Sequence, residues 1–107
     1  MALVEAVYRL SRSFPDAERF GLTSQVRRCA VSVPSNIAEG AARRSTAEYL
    51  RFLSIARGSL SELDTQMQIA TRLGYLEPVP DLGHQVDTVF ARLTALMNVL
   101  QKSEDAK

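Results

Sequence analysis

A chain of 107 residues carries enough apolar side chains for one compact domain and not for two. A hydrophobic fraction of 46% with a net charge of +1 fits a globular fold, and no apolar run reaches the ~20 residues that a bilayer span needs. One cysteine (Cys29) and one histidine (His84) exclude an intramolecular disulfide and give no basis for a zinc knuckle or an imidazole–thiolate metal site, so neither metal nor cofactor is expected.

The start, Met1-Ala2-Leu3-Val4-Glu5, lacks the basic opening and long apolar centre of a signal peptide, and a cytoplasmic location away from membranes is the expectation. Helix 1 is expected over Ala2 to Ser13, with Leu3, Val7, Leu10 and Phe14 on one face and Pro15 as its stop. A short connection follows, after which Thr23 or Ser24 can cap helix 2, expected over Ser24 to Ala42. Val26, Ala30, Val33, Ile37 and Ala41 form its buried stripe. Pro34 sits inside that run, which predicts a kink or lost hydrogen bonding near Ala30 and Val31.

Ser45-Thr46-Ala47-Glu48 is a capping box and opens helix 3, expected over Thr46 to Leu73. Tyr49, Leu53, Ala56, Leu60, Leu63, Met67 and Ala70 alternate at steps of four and three, as in a coiled-coil seam. Gly74 stops the helix, and Pro78 and Pro80 prevent its continuation. Helix 4, expected over Asp81 to Lys102, repeats the alternation with Leu82, Val86, Val89, Leu93, Leu96 and Leu100. Four amphipathic helices joined by short links predict an all-α, up-and-down four-helix bundle forming a single domain over 1–107. Phe52, Ile55 and Ile69 of helix 3, with Phe90 and Met97 of helix 4, make a second apolar set. It reads either as an oligomer contact or as a wide core face.

Eleven of the thirteen basic residues are arginine, the better side chain for forked pairing with phosphate or carboxylate. They concentrate before Gly58, and acids outnumber bases after it. Arg43 and Arg44, beside the helix 3 N-terminus, are the best candidate anion site, with Arg27, Arg28 and Arg51 as its possible extension. Two readings stay open: a nucleic-acid surface, or a solvated face with ion pairs between subunits. Asn36 and Glu39 fall near the buried face of helix 2. Arg57 is the expected partner for Glu39, and Asn36 is expected to bond carbonyls released near Pro34. Glu39 with Glu62 is the one carboxylate pair to weigh for acid/base work, but no nucleophile or metal ligand accompanies it, so structural pairing and no enzyme activity are expected. Gly58 inside helix 3 predicts a close helix–helix approach, with Ser59 bonding back to the chain or across the interface. Cys29 reads as a small core residue and His84 as solvent-facing.

The segment from Phe20-Gly21-Leu22-Thr23-Ser24-Gln25 through Arg57-Gly58-Ser59-Leu60-Ser61-Glu62-Leu63 resembles the four-helix-bundle proteins encoded in intervening sequences of bacterial 23S rRNA genes. The resemblance rests on Ser32-Val33-Pro34-Ser35-Asn36-Ile37-Ala38-Glu39-Gly40, on Arg43-Arg44-Ser45, on Phe52-Leu53 with Ile55-Ala56-Arg57-Gly58-Ser59, and on Leu73-Gly74-Tyr75-Leu76. It implies a helical bundle assembling as a homopentameric ring, without enzymatic activity. It also implies kinship with accessory proteins of diversity-generating retroelements, whose basic surface engages nucleic acid and a reverse transcriptase. Relatives usually carry a tryptophan-bearing stretch ahead of the position of Val4. This chain has no tryptophan, so helix 1 is expected to be short against helices 3 and 4. The expected function is therefore a non-enzymatic oligomer binding RNA or DNA through arginines of helices 2 and 3, or an adaptor whose ligand is a protein.

Overall fold

The computed structural model describes residues 2–107, and among these there are four α-helices, one short 3-10 turn and no strand. The helices are α1 (Ala2–Ser11), α2 (Leu22–Ala41), α3 (Thr46–Arg72) and α4 (Pro80–Asp105), with the 3-10 turn over Asp16–Glu18. Each helix packs on the next in sequence, and α1 closes onto α4. Contacts run in opposite directions along neighbours: Cys29 meets Glu62 and Ser32 meets Ser59, while Arg57 meets Thr94. Neighbours are therefore antiparallel, which is the arrangement short links impose.

The predicted seams make the core, except that Ala41 is exposed and Gly40 takes the buried place at the end of α2. Val7, Val26, Ala30, Leu53, Ala56, Leu60, Leu63 and Ala70 are completely buried. Each large aliphatic among them contributes ~1.5–3 kcal/mol relative to staying in water. No helix is long and apolar enough to cross a membrane, among the described residues.

The helix ends differ from expectation for identifiable reasons. α1 stops at Ser11, because Arg12, Ser13 and Phe14 bond to carbonyls three residues back and tighten the chain ahead of Pro15. α2 begins at Leu22, two residues earlier than predicted, and neither Thr23 nor Ser24 caps it. The cap comes from Glu18, whose Oε1 accepts from the Leu22 amide at 3.1 Å. The other carboxylate oxygen accepts from the Tyr75 hydroxyl at 3.0 Å, which ties the start of α2 to the α3–α4 connection. α2 then continues through Pro34 to Ala41 without a break.

The Ser45 cap is as predicted, with its Oγ accepting from the Glu48 amide at 3.1 Å. At the far end of α3, Gly74 takes a φ of +79°, the Gly74 amide donates to Thr71 and the Tyr75 amide donates to Ala70. Those two bonds around a left-handed residue complete a Schellman stop. α4 starts at Pro80, whose missing N–H costs nothing at a first helical position, and runs three residues past Lys102.

Candidate functional site

The turn joining α2 to α3, residues 42–45, carries the candidate arginines Arg43 and Arg44. Gly40 makes it possible. A β-carbon at Gly40 would stand 2.7 Å from Cβ of Phe52 and 3.0 Å from Cδ1 of Tyr49, so the two helices touch backbone-close at this end. Gly58, where the close approach was expected, has nothing within 4 Å of a β-carbon and faces open solvent. Its place in the heptad is outside the α2 seam, whereas Gly40 lies in it.

Phe52 is only 8% exposed, seated beneath the turn against Gly40. Two guanidinium groups cover its ring, Arg43 at 4.9 Å and Arg51 at 4.7 Å from the centroid. Phe52 is therefore not a free oligomer contact, and the arginines account for it. Arg43 also pairs with Glu39, one turn back, at 2.9 Å. Arg44 is exposed beside them. The group adjoins the first turn of α3, whose unpaired amides and dipole add positive potential.

The other two arginines lie elsewhere. Arg28 is exposed on α2 with Ser24 as its neighbour, 15 residues before Arg43 and so ~22 Å along the helix. Arg27 faces α1, where its Nε donates to Ser11 Oγ at 2.8 Å and its guanidinium lies 4.9 Å from the Tyr8 ring. One residue is 100° of helix rotation, so Arg27 and Arg28 diverge and Arg27 does not join the cluster.

The polar residues of α2 are paired, though Glu39 and Arg57 are not each other's partners. Glu39 is solvent-exposed and bound to Arg43, because it falls two positions past the inward Ile37. Arg57 points to α4 instead, donating to Thr94 Oγ1 at 3.5 Å and lying 5.8 Å from the Phe90 ring. Asn36 donates to the Ser32 carbonyl, two residues ahead of Pro34, at 2.8 Å and to Ser32 Oγ at 2.9 Å. Ser32 Oγ and Ser59 Oγ are 2.9 Å apart, so Ser59 reaches across the interface.

Glu62 accepts from the Cys29 thiol at 3.3 Å. Burial pushes that thiol up from its ordinary value, and the Glu62 carboxylate adds to the rise. Cys29 is thus half-buried beside an acid rather than in the closed core. Its position, ten residues before Glu39 on α2, sets Glu62 and Glu39 ~15 Å apart along the hairpin, too far to act as a dyad. Among the described residues no group of three or more His, Cys, Asp or Glu is placed to hold a metal ion.

The second apolar set divides. Ile55 and Ile69 are 43% and 44% exposed on the outer side of α3, and Phe90 is 37% exposed beneath Arg57. Met97 is half-buried and packs against the core. These residues do not form one patch. Phe52 as a stacking platform was missed at the sequence level. The signal was present in its spacing from Arg51 and in the turn that brings Arg43 back over it.

Residues 1–102 match the family model described as 23S rRNA-intervening sequence protein. No curated protein matches the chain.

Proposed function

Because the chain belongs to the 23S rRNA-intervening sequence protein family, we propose that it is a non-enzymatic helical bundle that binds structured RNA through the arginines at the α2–α3 tip. The observation that carries the proposal is the pair of guanidinium groups, Arg43 and Arg51, held over one buried ring with Arg44 beside them. Contact with the ring restrains both groups, Glu39 holds Arg43 further, and forked guanidinium donors suit phosphate oxygens. No exposed aromatic accompanies them at the tip, since Phe52 is covered and Tyr49 is half-buried, so the chemistry fits a phosphate backbone better than stacked single-stranded bases.

The proposal includes a cytoplasmic homo-oligomeric ring, a pentamer by family likeness. Repetition of a three-arginine tip around a ring multiplies weak contacts into avid ones. Salt-titrated binding to a structured RNA tests the reading. Affinity is expected to fall steeply with salt, and Arg43→Ala with Arg44→Ala to flatten that slope while leaving assembly intact. A protein that binds no RNA at low salt, or whose oligomer dissolves with the double change, overturns it. Exposed Ile55 and Ile69 favour a second reading, an adaptor that presents the outer side of α3 to a protein partner, and that reading wins in such a case.

A further inference from the structure

Arg43 is the one arginine of the α2–α3 tip that already holds an anion. Its Nη2 donates to Glu39 Oε1 at 2.9 Å, while its guanidinium lies over the Phe52 ring. Arg51 shares that ring and Arg44 is exposed beside it, and among the described residues neither has a carboxylate partner. Between Gln25 and Arg57 the chain has two acids, Glu39 and Glu48. Glu48 belongs to the first turn of α3, where its amide is capped by Ser45, and it pairs with no arginine among the described residues. A single carboxylate thus fills the donor fork of one arginine in the group that would meet phosphate.

We propose that Glu39 occupies the Arg43 fork as an internal stand-in for an RNA phosphate, and that RNA binds there by displacing it. This rests on the RNA reading of the tip and adds the residue that holds its affinity down. A carboxylate and a phosphate offer a guanidinium the same feature, two anionic oxygens on one centre, so they compete for the same N–H donors. The pair is weak enough to exchange. Its side chains are 40% and 55% exposed, they stand one helical turn apart, and pairs of this kind contribute little in water. A buried pair could not open so cheaply, because a charge left alone in the core is expensive. The contact of Arg43 with Phe52 does not involve Glu39, so the ring still restrains the guanidinium when one anion replaces the other. Nor does α2 depend on this acid. Glu39 lies in its last turn, where the negative end of the helix dipole disfavours a carboxylate.

The test measures binding of the full chain to a fluorescein-labelled RNA hairpin of ~20 base pairs at fixed salt. Glu39→Gln keeps the size of the side chain and gives up the anion, and is expected to tighten binding about two- to fivefold. Glu48→Gln removes a charge from the same end of the molecule without freeing a fork, and is expected to gain less. On an Arg43→Ala background the gain from Glu39→Gln is expected to fall to that of the Glu48 control. Arg43→Gln takes the place of Arg43→Ala if circular dichroism shows that the latter does not fold. RNA that binds Glu39→Gln but not the unaltered chain also supports the proposal. Unchanged or weaker binding by Glu39→Gln overturns it, since Glu39 would then be idle or would position Arg43. A gain no larger than that of Glu48→Gln, or one that survives the loss of Arg43, overturns it as a mere effect of net charge. If neither the unaltered chain nor Glu39→Gln binds the hairpin at low salt, the RNA reading itself falls and takes this proposal with it.

Discussion

Gly40 and Phe52 stand so close across the α2–α3 interface that a β-carbon placed on Gly40 would lie 2.7 Å from Cβ of Phe52. Cβ of Phe52 is fixed to its helix and cannot swing aside, so any larger residue at position 40 pushes α2 and α3 apart. Gly40→Ala is expected to destabilise by ~1–3 kcal/mol, overriding the ~1 kcal/mol that alanine gains in helix propensity. The melting temperature should fall by about 5 °C or more. Gly58→Ala is the matched control. With open space around its β-carbon it should stabilise by ~0.5–1 kcal/mol. Denaturant midpoints of the two variants must move in opposite directions.

Phe52 orients charge without carrying any. Phe52→Leu removes the ring under Arg43 and Arg51 and keeps an apolar side chain in the seat. Each stacking contact is worth ~0.5–1 kcal/mol, so RNA affinity should drop about two- to tenfold. The salt slope should stay the same, because the number of neutralised phosphates is unchanged. A flattened slope would mean the ring holds the arginines in the site altogether.

Ser32 and Ser59 satisfy each other across the α2–α3 interface, and Asn36 completes the group from one turn along. Ser32→Ala or Ser59→Ala alone should cost ~0.5–1.5 kcal/mol, since the partner hydroxyl loses its bond. The double variant should cost less than the sum, with a coupling of ~0.5–1 kcal/mol in a double-mutant cycle. Strict additivity would show the two hydroxyls to be independent.

Cys29 should alkylate slowly. Its thiol is raised by burial first and by Glu62 second, so at mildly alkaline pH less thiolate is present than on a free cysteine. Glu62→Gln removes the neighbouring charge and is expected to shift the iodoacetamide rate profile toward lower pH. The sign for stability follows from the same shift. A thiol raised in the folded state contributes stability below the unfolded-state value, and this is lost as pH rises through the folded value. The Tyr75 phenol is raised too, chiefly by its hydrogen bond to Glu18, so both groups weaken the fold only on the alkaline side. Glu62→Gln should therefore flatten the alkaline arm of a stability–pH curve.

The helices themselves were legible in the sequence because burial repeats at three and four residues and the chain keeps that phase for seven turns of α3. The Ser45 cap and the Gly74 stop were legible for a similar reason, as each is a local pattern read from adjacent residues. The start of α2 was not, because its cap is a carboxylate in a preceding turn that a phenol 57 residues later helps to hold. Pair identities were less legible still. Glu39 and Arg57 have complementary charge, but the phase of α3 sends Arg57 to the α4 side, and Glu39 finds Arg43 in the turn just after its own helix. The arginine tip was visible as a cluster of types. Its division, with Arg27 turned toward α1, depends on which helix lies on which flank, and that is a property of packing order.

Tyr75 has one further consequence. Its ring meets Phe14 at 5.9 Å, its carbonyl accepts from Ser13 and its hydroxyl reaches Glu18, while its amide closes α3. Both long connections of the molecule are thus laced together at one pole by a single side chain and its peptide. The opposite pole has the four-residue turn between α2 and α3. Loss of Tyr75 would therefore release both connections together, so damage at its pole would spread across all four helices rather than stay local.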